Sequence, residues 1–184
     1  GSALMPLLER DGHSVVRLVR RQPTSPAEIP WDPAARRLDP AHLAGVDAVI
    51  HLAGAGIGDK RWNAARKAEI LNSRVDGTTT VATAAAAADN GPTTLISASA
   101  IGWYGDTGDR AVDESQPAGT GFLAETCLAW EAATAPASEA GVRVAAMRTG
   151  LVLSREGGLL KRLIPLFKAG LGGKVSSGRM WWSW

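Results

Sequence analysis

Short apolar segments alternate with longer helical segments along this chain, and this alternation limits the possible folds more than any other feature. The strand-like segments are Ser14 to Arg20, the apolar run that begins at Asp47, Thr93 to Ala100, and part of Gly141 to Gly150. Strands and helices that alternate at this spacing predict right-handed βαβ units, and so an α/β fold with a parallel sheet. The run that begins at Asp47 is expected to be buried on both faces, as strands of parallel sheets are.

Residues that favour helix ends bound several of the predicted helices. Ser2 is a possible cap for the first helix, and Asn90-Gly91-Pro92 stops the long one. Pro136 is expected to kink or end its helix early, because proline removes a backbone hydrogen bond. The predicted helices cover Ser2 to Arg10, Asp39 to Leu43, about Trp62 to Ala88, Gly121 to Ala140 and Gly158 to Ala169. The proline-containing stretch 21–33 is predicted as loop, and 170–184 as loop or strand.

The composition excludes several classes of protein. The formal net charge of the 184 residues is +2, too small to indicate nucleic-acid binding. The sequence has neither the roughly 20 consecutive apolar residues of a membrane span nor a secretory signal. Its one cysteine excludes an internal disulfide, and its three histidines lack the spacing of metal ligands. We therefore expect a cytoplasmic protein without a metal. Three of its seven tryptophans fall in the last four residues, which we interpret as a cut end.

Ligands of open α/β sheets bind outside the carboxyl ends of the strands, so these ends are where a site is expected. In this sequence they are Arg20-Arg21, Leu52-Ala53-Gly54, Ser97 to Ala100 and Arg148 to Leu151.

Around these strand ends the chain resembles the extended short-chain dehydrogenase/reductase superfamily, and within it the nucleotide-sugar-epimerase-like branch of the NAD-dependent epimerase/dehydratase family. The segments that carry the resemblance are "GSAL…LLERDGHSVVRLVRR", "VDAVIHLAGAGIGDKRW", "SRVDGT", "LISASAIGWYGDTGD", "DESQPAGTGFLAETCLAWE", "RTGLVLSREGGLL" and "GLGGKVSSGRMWWSW". The resemblance implies a Rossmann-type doubly wound parallel sheet in a single NAD(P)-binding domain over residues 1–184. It also implies that the family's first strand and most of its C-terminal substrate-binding region are absent from this chain.

The same resemblance implies a set of cofactor-binding residues. Gly1 matches the last glycine of the family's TGxxGxxG loop, although a Gly-Ser start is also typical of a cloning remnant. Arg20 and Arg21 follow a strand where an acid would select NAD, and no acid occurs between Asp11 and Glu28, which favours NADP. The alternative is a pair of solvated surface arginines. The remaining predicted cofactor contacts are Leu52, Ala53, Gly54 and Ser97, of which the first three could instead form a plain turn.

The predicted catalytic residues are Ser99 and Tyr104. Ser99 matches the serine or threonine that binds the substrate oxygen in active relatives, but it could also satisfy only the backbone. Working members carry a YxxxK motif, and Leu123 and Cys127 stand at its tyrosine and lysine positions here. Tyr104, the only tyrosine, is the candidate proton donor, unless it is a packed loop anchor. Cys127 is expected to be a buried small side chain.

Two functions from different classes follow, and we favour the first. One is an NADP-dependent epimerase or oxidoreductase that acts on a nucleotide sugar or another carbonyl or hydroxyl compound. The other is a non-catalytic NADPH sensor, because the YxxxK residues are missing. A further possibility is an inactive fragment. Arg74 stands where many members carry an asparagine of the proton relay, and we interpret it as a surface or structural arginine. A homodimer is plausible; nucleic-acid and membrane partners are not expected.

Overall fold

The computed structural model describes residues 1–174 and 177–184. Its strands are β1 (Arg17–Val19), β2 (Glu28–Pro30), β3 (Ala48–His51), β4 (Thr94–Ala100) and β5 (Arg143–Thr149). Its α-helices are α1 (Met5–Arg10), α2 (Ala64–Ala87), α3 (Phe122–Ala132), α4 (Ala135–Glu139) and α5 (Gly158–Lys168). Two 3₁₀ helices span Pro40–Leu43 and Ile101–Tyr104. Val175 and Ser176 of the predicted loop or strand at 170–184 lie outside the described residues, and the described part of that stretch forms neither helix nor strand.

The strands of the described chain form two sheets. In the first, β1 pairs with β2 in parallel, with Arg17 opposite Glu28. In the second the order is β3-β4-β5, and β3 and β4 are parallel, with His51 opposite Ser97. The expectation of parallel strands is thus confirmed. The sequence did not predict β2, because three residues that end in a proline carry almost no strand signal.

Helix ends differ from their predicted positions by a few residues. Helix α1 begins at Met5 and has no side-chain cap, so the proposed cap at Ser2 is wrong. Proline in its first turn fits the start, because a proline there needs no hydrogen-bond partner. Helix α2 begins after Asn63, whose side chain accepts a hydrogen bond from the Arg66 N–H. The predicted break near Pro136 is confirmed, since this residue lies in the first turn of a separate helix, α4.

The chain divides into two compact units. Unit 1 consists of Gly1–Ala98 and Ala129–Ala146, and unit 2 consists of Ser99–Leu128 and Met147–Trp184. No helix among the described residues combines the length and the apolar character needed to cross a bilayer.

The core of unit 1 lies between α2 and one face of β3 and β4. Val81 and Leu95 are fully buried there, and each such side chain stabilises the fold by about 1.5–3 kcal/mol. Burial along β3 alternates, so Val49 and His51 are buried while Ile50 remains exposed. The expectation that this strand is buried on both faces is therefore wrong; the described core covers one face only.

Unit 2 contains a loop that backbone contacts fold back on itself. The Gly119 N–H donates to the Trp103 carbonyl at 2.8 Å, and the Trp103 indole N–H donates to the Gln116 carbonyl at 3.2 Å. These bonds fix the 3₁₀ helix that carries Tyr104.

Candidate functional site

An open cavity of about 570 Å³ lies in unit 1, where β1 and β2 end. Its lining is formed by Val19, Arg20, Arg21, Gln22, Pro30, Trp31, Asp32, Arg37, Leu38, Asp39 and His42. Two of these residues, Arg20 and Arg21, were predicted from the sequence to bind the cofactor. A third cation, Arg37, was not predicted, because it lies in a connection that has no strand or helix signal.

Arg21 is held in place by a buried carboxylate. Its two terminal nitrogens donate to the two oxygens of Glu28, at 2.8 and 2.6 Å. Arg17 donates to the same carboxylate at 2.6 Å, and so does the backbone N–H of Thr24, at 2.8 Å. Hydrogen bonding from Arg21, followed by that of the Thr24 N–H, lowers the pKa of Glu28 to about 2. The side chain of Glu28 is 1% exposed, so this cluster anchors the turn between β1 and β2.

Arg20 differs from its neighbour. Its side chain is exposed at the cavity wall and has no hydrogen bond or ion pair within the described part of the chain. A guanidinium in this state keeps all five of its donors and its full charge for a ligand.

The side chain of Arg37 is restrained less than that of Arg21 and more than that of Arg20. Its backbone is fixed by an antiparallel bridge in which the N–H groups of Asp32 and Arg37 each donate to the other's carbonyl at 2.8 Å. Its guanidinium donates to the Asp32 carboxylate at 3.0 Å, in a pair that is largely exposed. The N–H of Ala35 and then this guanidinium lower the pKa of Asp32.

Side chains of α2 hold the backbone of the loop that follows β3. The Ala55 N–H donates to the Ser73 hydroxyl, and the Arg74 guanidinium donates to the Ala55 carbonyl, both at 3.0 Å. Arg74 also lies 4.9 Å from the ring centroid of Trp130. These contacts confirm that Arg74 is structural. They leave Leu52, Ala53 and Gly54 exposed at the strand end, where the sequence predicted a cofactor wall.

The other two predicted cofactor contacts lie elsewhere in unit 1. Ser97 is 1% exposed, and its hydroxyl donates to the Ala98 carbonyl, so its side chain faces the core. Gly1 is exposed, and its carbonyl accepts from the N–H groups of Leu4 and Met5 just before α1. A cofactor role for either residue stays a prediction.

Unit 2 holds the predicted catalytic residues. Ser99 is buried near the end of β4, and Tyr104 is half-buried in the following 3₁₀ helix. Arg148, from β5, donates to the Tyr104 hydroxyl oxygen at 3.2 Å. Its guanidinium lies 3.8 Å from the ring centroid of Trp103. From the sequence, Arg148 was identified only as the end of a strand. Its contact with Tyr104 joins residues 44 positions apart, and no local sequence pattern indicates such a contact.

The positions of the missing YxxxK residues are also visible in unit 2. Cys127 is buried, as predicted, and its thiol contacts the Ala100 carbonyl at 3.6 Å. Leu123 is 38% exposed. Neither Leu123 nor Cys127 carries the acid–base group found at these positions in working members.

The fold and the arrangement of the strand ends define an α/β protein of the Rossmann type. The chain belongs to the NAD dependent epimerase/dehydratase family, whose sequence model matches residues 1–183.

Named relatives come from both bacteria and animals. An epimerase family protein of Mycobacterium bovis is 50% identical over 184 residues, which are the whole of this chain and 60% of the relative. Epimerase family protein SDR39U1 of Bos taurus is 35% identical over 187 residues, with 61% of the relative covered. The chain thus spans about three-fifths of the length of these curated relatives.

Solved structures confirm the Rossmann-type fold. The nucleoside-diphosphate sugar epimerase from Corynebacterium glutamicum matches the whole chain with a TM-score of 0.86 and 44% identity, over 38% of its own length. Human epimerase family protein SDR39U1 (isoform 2) with NADPH matches the whole chain with a TM-score of 0.87 and 31% identity, over 61% of its own length.

Proposed function

We propose that this protein binds NADP(H) and uses it for an epimerase or oxidoreductase reaction on a nucleotide sugar or another carbonyl or hydroxyl compound. The observation that carries the proposal is the cavity of unit 1, where Arg20 presents a guanidinium that has no hydrogen bond or ion pair among the described residues. A human relative whose structure contains NADPH supports the choice of cofactor. A relative that is a nucleoside-diphosphate sugar epimerase supports the substrate class.

The residues of unit 1 fit the adenosine end of NADP(H). Arg20 would hold the 2′-phosphate through charged, paired hydrogen bonds. The small residues Ala53 and Gly54 would let a ligand lie against the strand end, since they have little or no side chain to obstruct it. The contacts of Ser73 and Arg74 keep this segment in one conformation.

The chemistry that NADP(H) would supply when bound is hydride transfer. Within unit 2, the task of the chain's own residues is proton transfer. Because Arg148 donates to the Tyr104 oxygen, that oxygen acts as an acceptor and its own proton stays available for a substrate oxygen. Ser99 would donate a hydrogen bond to the same kind of oxygen. Tyr104 would thus perform the proton transfer of the YxxxK tyrosine, whose position is occupied by Leu123 in this chain.

The second candidate function is an NADPH sensor without catalysis. The loss of both YxxxK residues, at Leu123 and Cys127, is the observation that favours it. A sensor binds NADPH as an enzyme does, so only turnover separates the two.

The first test is a fluorescence titration of the protein with NADPH and with NADH. We expect tighter binding of NADPH, and we expect Arg20→Glu to abolish the difference because it places a negative charge beside the phosphate. Arg143→Glu is the matched control, because Arg143 is exposed at the opposite, amino end of β5. If neither nucleotide binds at millimolar concentration, the proposed function is wrong.

A second measurement separates the enzyme from the sensor. NADPH consumption is followed with a panel of sugar nucleotides and small carbonyl compounds. For an enzyme, we expect Tyr104→Phe to reduce turnover on the order of a hundredfold or more, while the Kd for NADPH stays constant. Saturable NADPH binding without turnover on any compound favours the sensor.

We also propose a homodimer and a cytoplasmic location, as expected from the sequence. Light scattering of the purified protein tests the first, and fractionation of cells tests the second.

A further inference from the structure

We propose that Arg37 is a second ligand of the 2′-phosphate, so that Arg20 and Arg37 together select NADP(H) while Arg21 serves the fold. This inference rests on the proposed NADP(H) binding and names the residues that determine its specificity. The three arginines line one cavity, and we assign their roles from how strongly the rest of unit 1 restrains each side chain.

Arg21 is the most restrained of the three. One of its terminal nitrogens donates both to Glu28 and to the Gln22 carbonyl, at 2.8 and 2.9 Å, and the other donates to Glu28 at 2.6 Å. A ligand that captured this guanidinium would leave the Glu28 carboxylate, 1% exposed, with fewer donors. The loss of donors raises the free energy of a buried carboxylate, so we expect Arg21 to remain paired with Glu28.

Arg37 has a fixed backbone and a weakly held side chain. The backbone bridge to Asp32 determines where the side chain starts, and 76% of the side chain is exposed. An exposed pair of this kind contributes little stability, because water screens both charges. A phosphate dianion therefore replaces a single carboxylate as the partner of Arg37 at little cost.

The carboxylates of the cavity tolerate this exchange. Asp32 keeps the N–H of Ala35 at 3.0 Å when Arg37 turns away. Asp39 accepts the N–H of Ala41 at 3.0 Å at the start of the 3₁₀ helix. Both carboxylates thus accept a backbone hydrogen bond, and Asp32 keeps this bond after the Arg37 guanidinium turns away.

The test uses calorimetry with two fragments of the cofactor, adenosine 2′,5′-bisphosphate and 5′-AMP, which differ by the 2′-phosphate alone. We expect Arg37→Met to weaken binding of the bisphosphate on the order of tenfold and to leave 5′-AMP unchanged. We expect Asp32→Asn to strengthen binding of the bisphosphate, because it removes the competing charge and keeps an acceptor for Ala35.

Two further variants complete the design. Arg36→Met is the matched control, since Arg36 is adjacent but pairs with Asp76 of α2 at 2.7 Å and does not line the cavity. Arg21→Met should lower Tm and retain the preference for the bisphosphate.

The outcomes separate the two proposals. A wild-type protein that does not prefer the bisphosphate overturns NADP(H) binding itself. A wild-type preference that survives in Arg37→Met, or that Arg21→Met removes as fully, overturns the division of roles proposed here.

Discussion

Glu28 and His51 are both buried ionisable side chains, but they differ in the hydrogen-bond partners that surround them. Glu28 accepts hydrogen bonds from two arginines and from a backbone N–H, so it remains charged. His51 is 3% exposed, contacts Trp31 edge-on with ring centroids 5.9 Å apart, and has no partner for its Nε2 among the described residues. Burial lowers the pKa of His51 to about 4.

This burial makes stability depend on pH. Above about pH 6.5, the ordinary pKa of histidine, His51 is neutral in both the folded and the unfolded chain. As the pH falls from 6.5 towards 4, the unfolded chain takes up a proton that the folded chain does not, so stability is lost. The full loss is about 3 kcal/mol. Urea unfolding at pH 7.5 and at pH 4.5 measures most of it.

Variants assign this pH effect to one histidine. His51→Leu should remove most of the loss between these two pH values, and His13→Gln should keep it because His13 is exposed. An equal slope in His51→Leu and in the wild type would show that another group is responsible.

Two glycines in different elements predict opposite effects of the same substitution. A Cβ at Gly119 would collide with the backbone of Tyr104, so the backbone itself would have to shift. A Cβ at Gly77, within α2, would meet His51 at 3.4 Å and Trp31 at 3.7 Å, both ordinary contact distances. We expect Gly119→Ala to destabilise by about 1–3 kcal/mol and Gly77→Ala to stabilise by about 0.5–1 kcal/mol. Thermal unfolding of the two variants checks both signs.

Elements with strong periodicity could be predicted from the sequence, and weakly marked ones could not. The long helix was predicted from Trp62 to Ala88 and observed from Ala64 to Ala87. Strand β4 was predicted within one residue of its observed start. Strand β2 was missed because it has only three residues and ends in a proline, and its pairing with β1 and the contacts of Glu28 with Arg17 and Arg21 join residues that are not adjacent in sequence.

The same distinction applies to the candidate site. Strand ends could be located from the pattern of apolar residues, so Arg20, Leu52, Ser99 and their neighbours were identified as candidates. The state of each side chain depends on partners distant in sequence. Arg20 and Arg21 are adjacent, but only Arg21 meets Glu28. Likewise, nothing in the sequence indicates that Arg148 contacts Tyr104.

At the scale of the whole molecule, the position of the cavity in unit 1 predicts which residues a bound nucleotide will protect. All lining residues of the large cavity belong to unit 1. In hydrogen–deuterium exchange, we expect NADPH to protect residues 19–42 and 52–56, and to protect α5 little. NADPH at a hundred times its Kd should also stabilise the fold by about 2.7 kcal/mol.

NADH at the same concentration is the control, since it lacks the 2′-phosphate. Protection that is confined to unit 2, or that is equal for the two nucleotides, would contradict the assignment of this cavity.

The Arg20 guanidinium, which is unpaired in the described part of the chain, has an evolutionary consequence. Arg17 and Arg21 both donate to the buried Glu28, whereas the Arg20 side chain makes no hydrogen bond or ion pair within the described chain. If Arg20 binds the 2′-phosphate as proposed, a lineage that exchanged it for an acidic residue would weaken its preference for NADP(H) without removing a hydrogen bond or an ion pair of the described chain. Under this proposal, selection could alter the preference for one nucleotide without altering the contacts that hold β1 and β2 together.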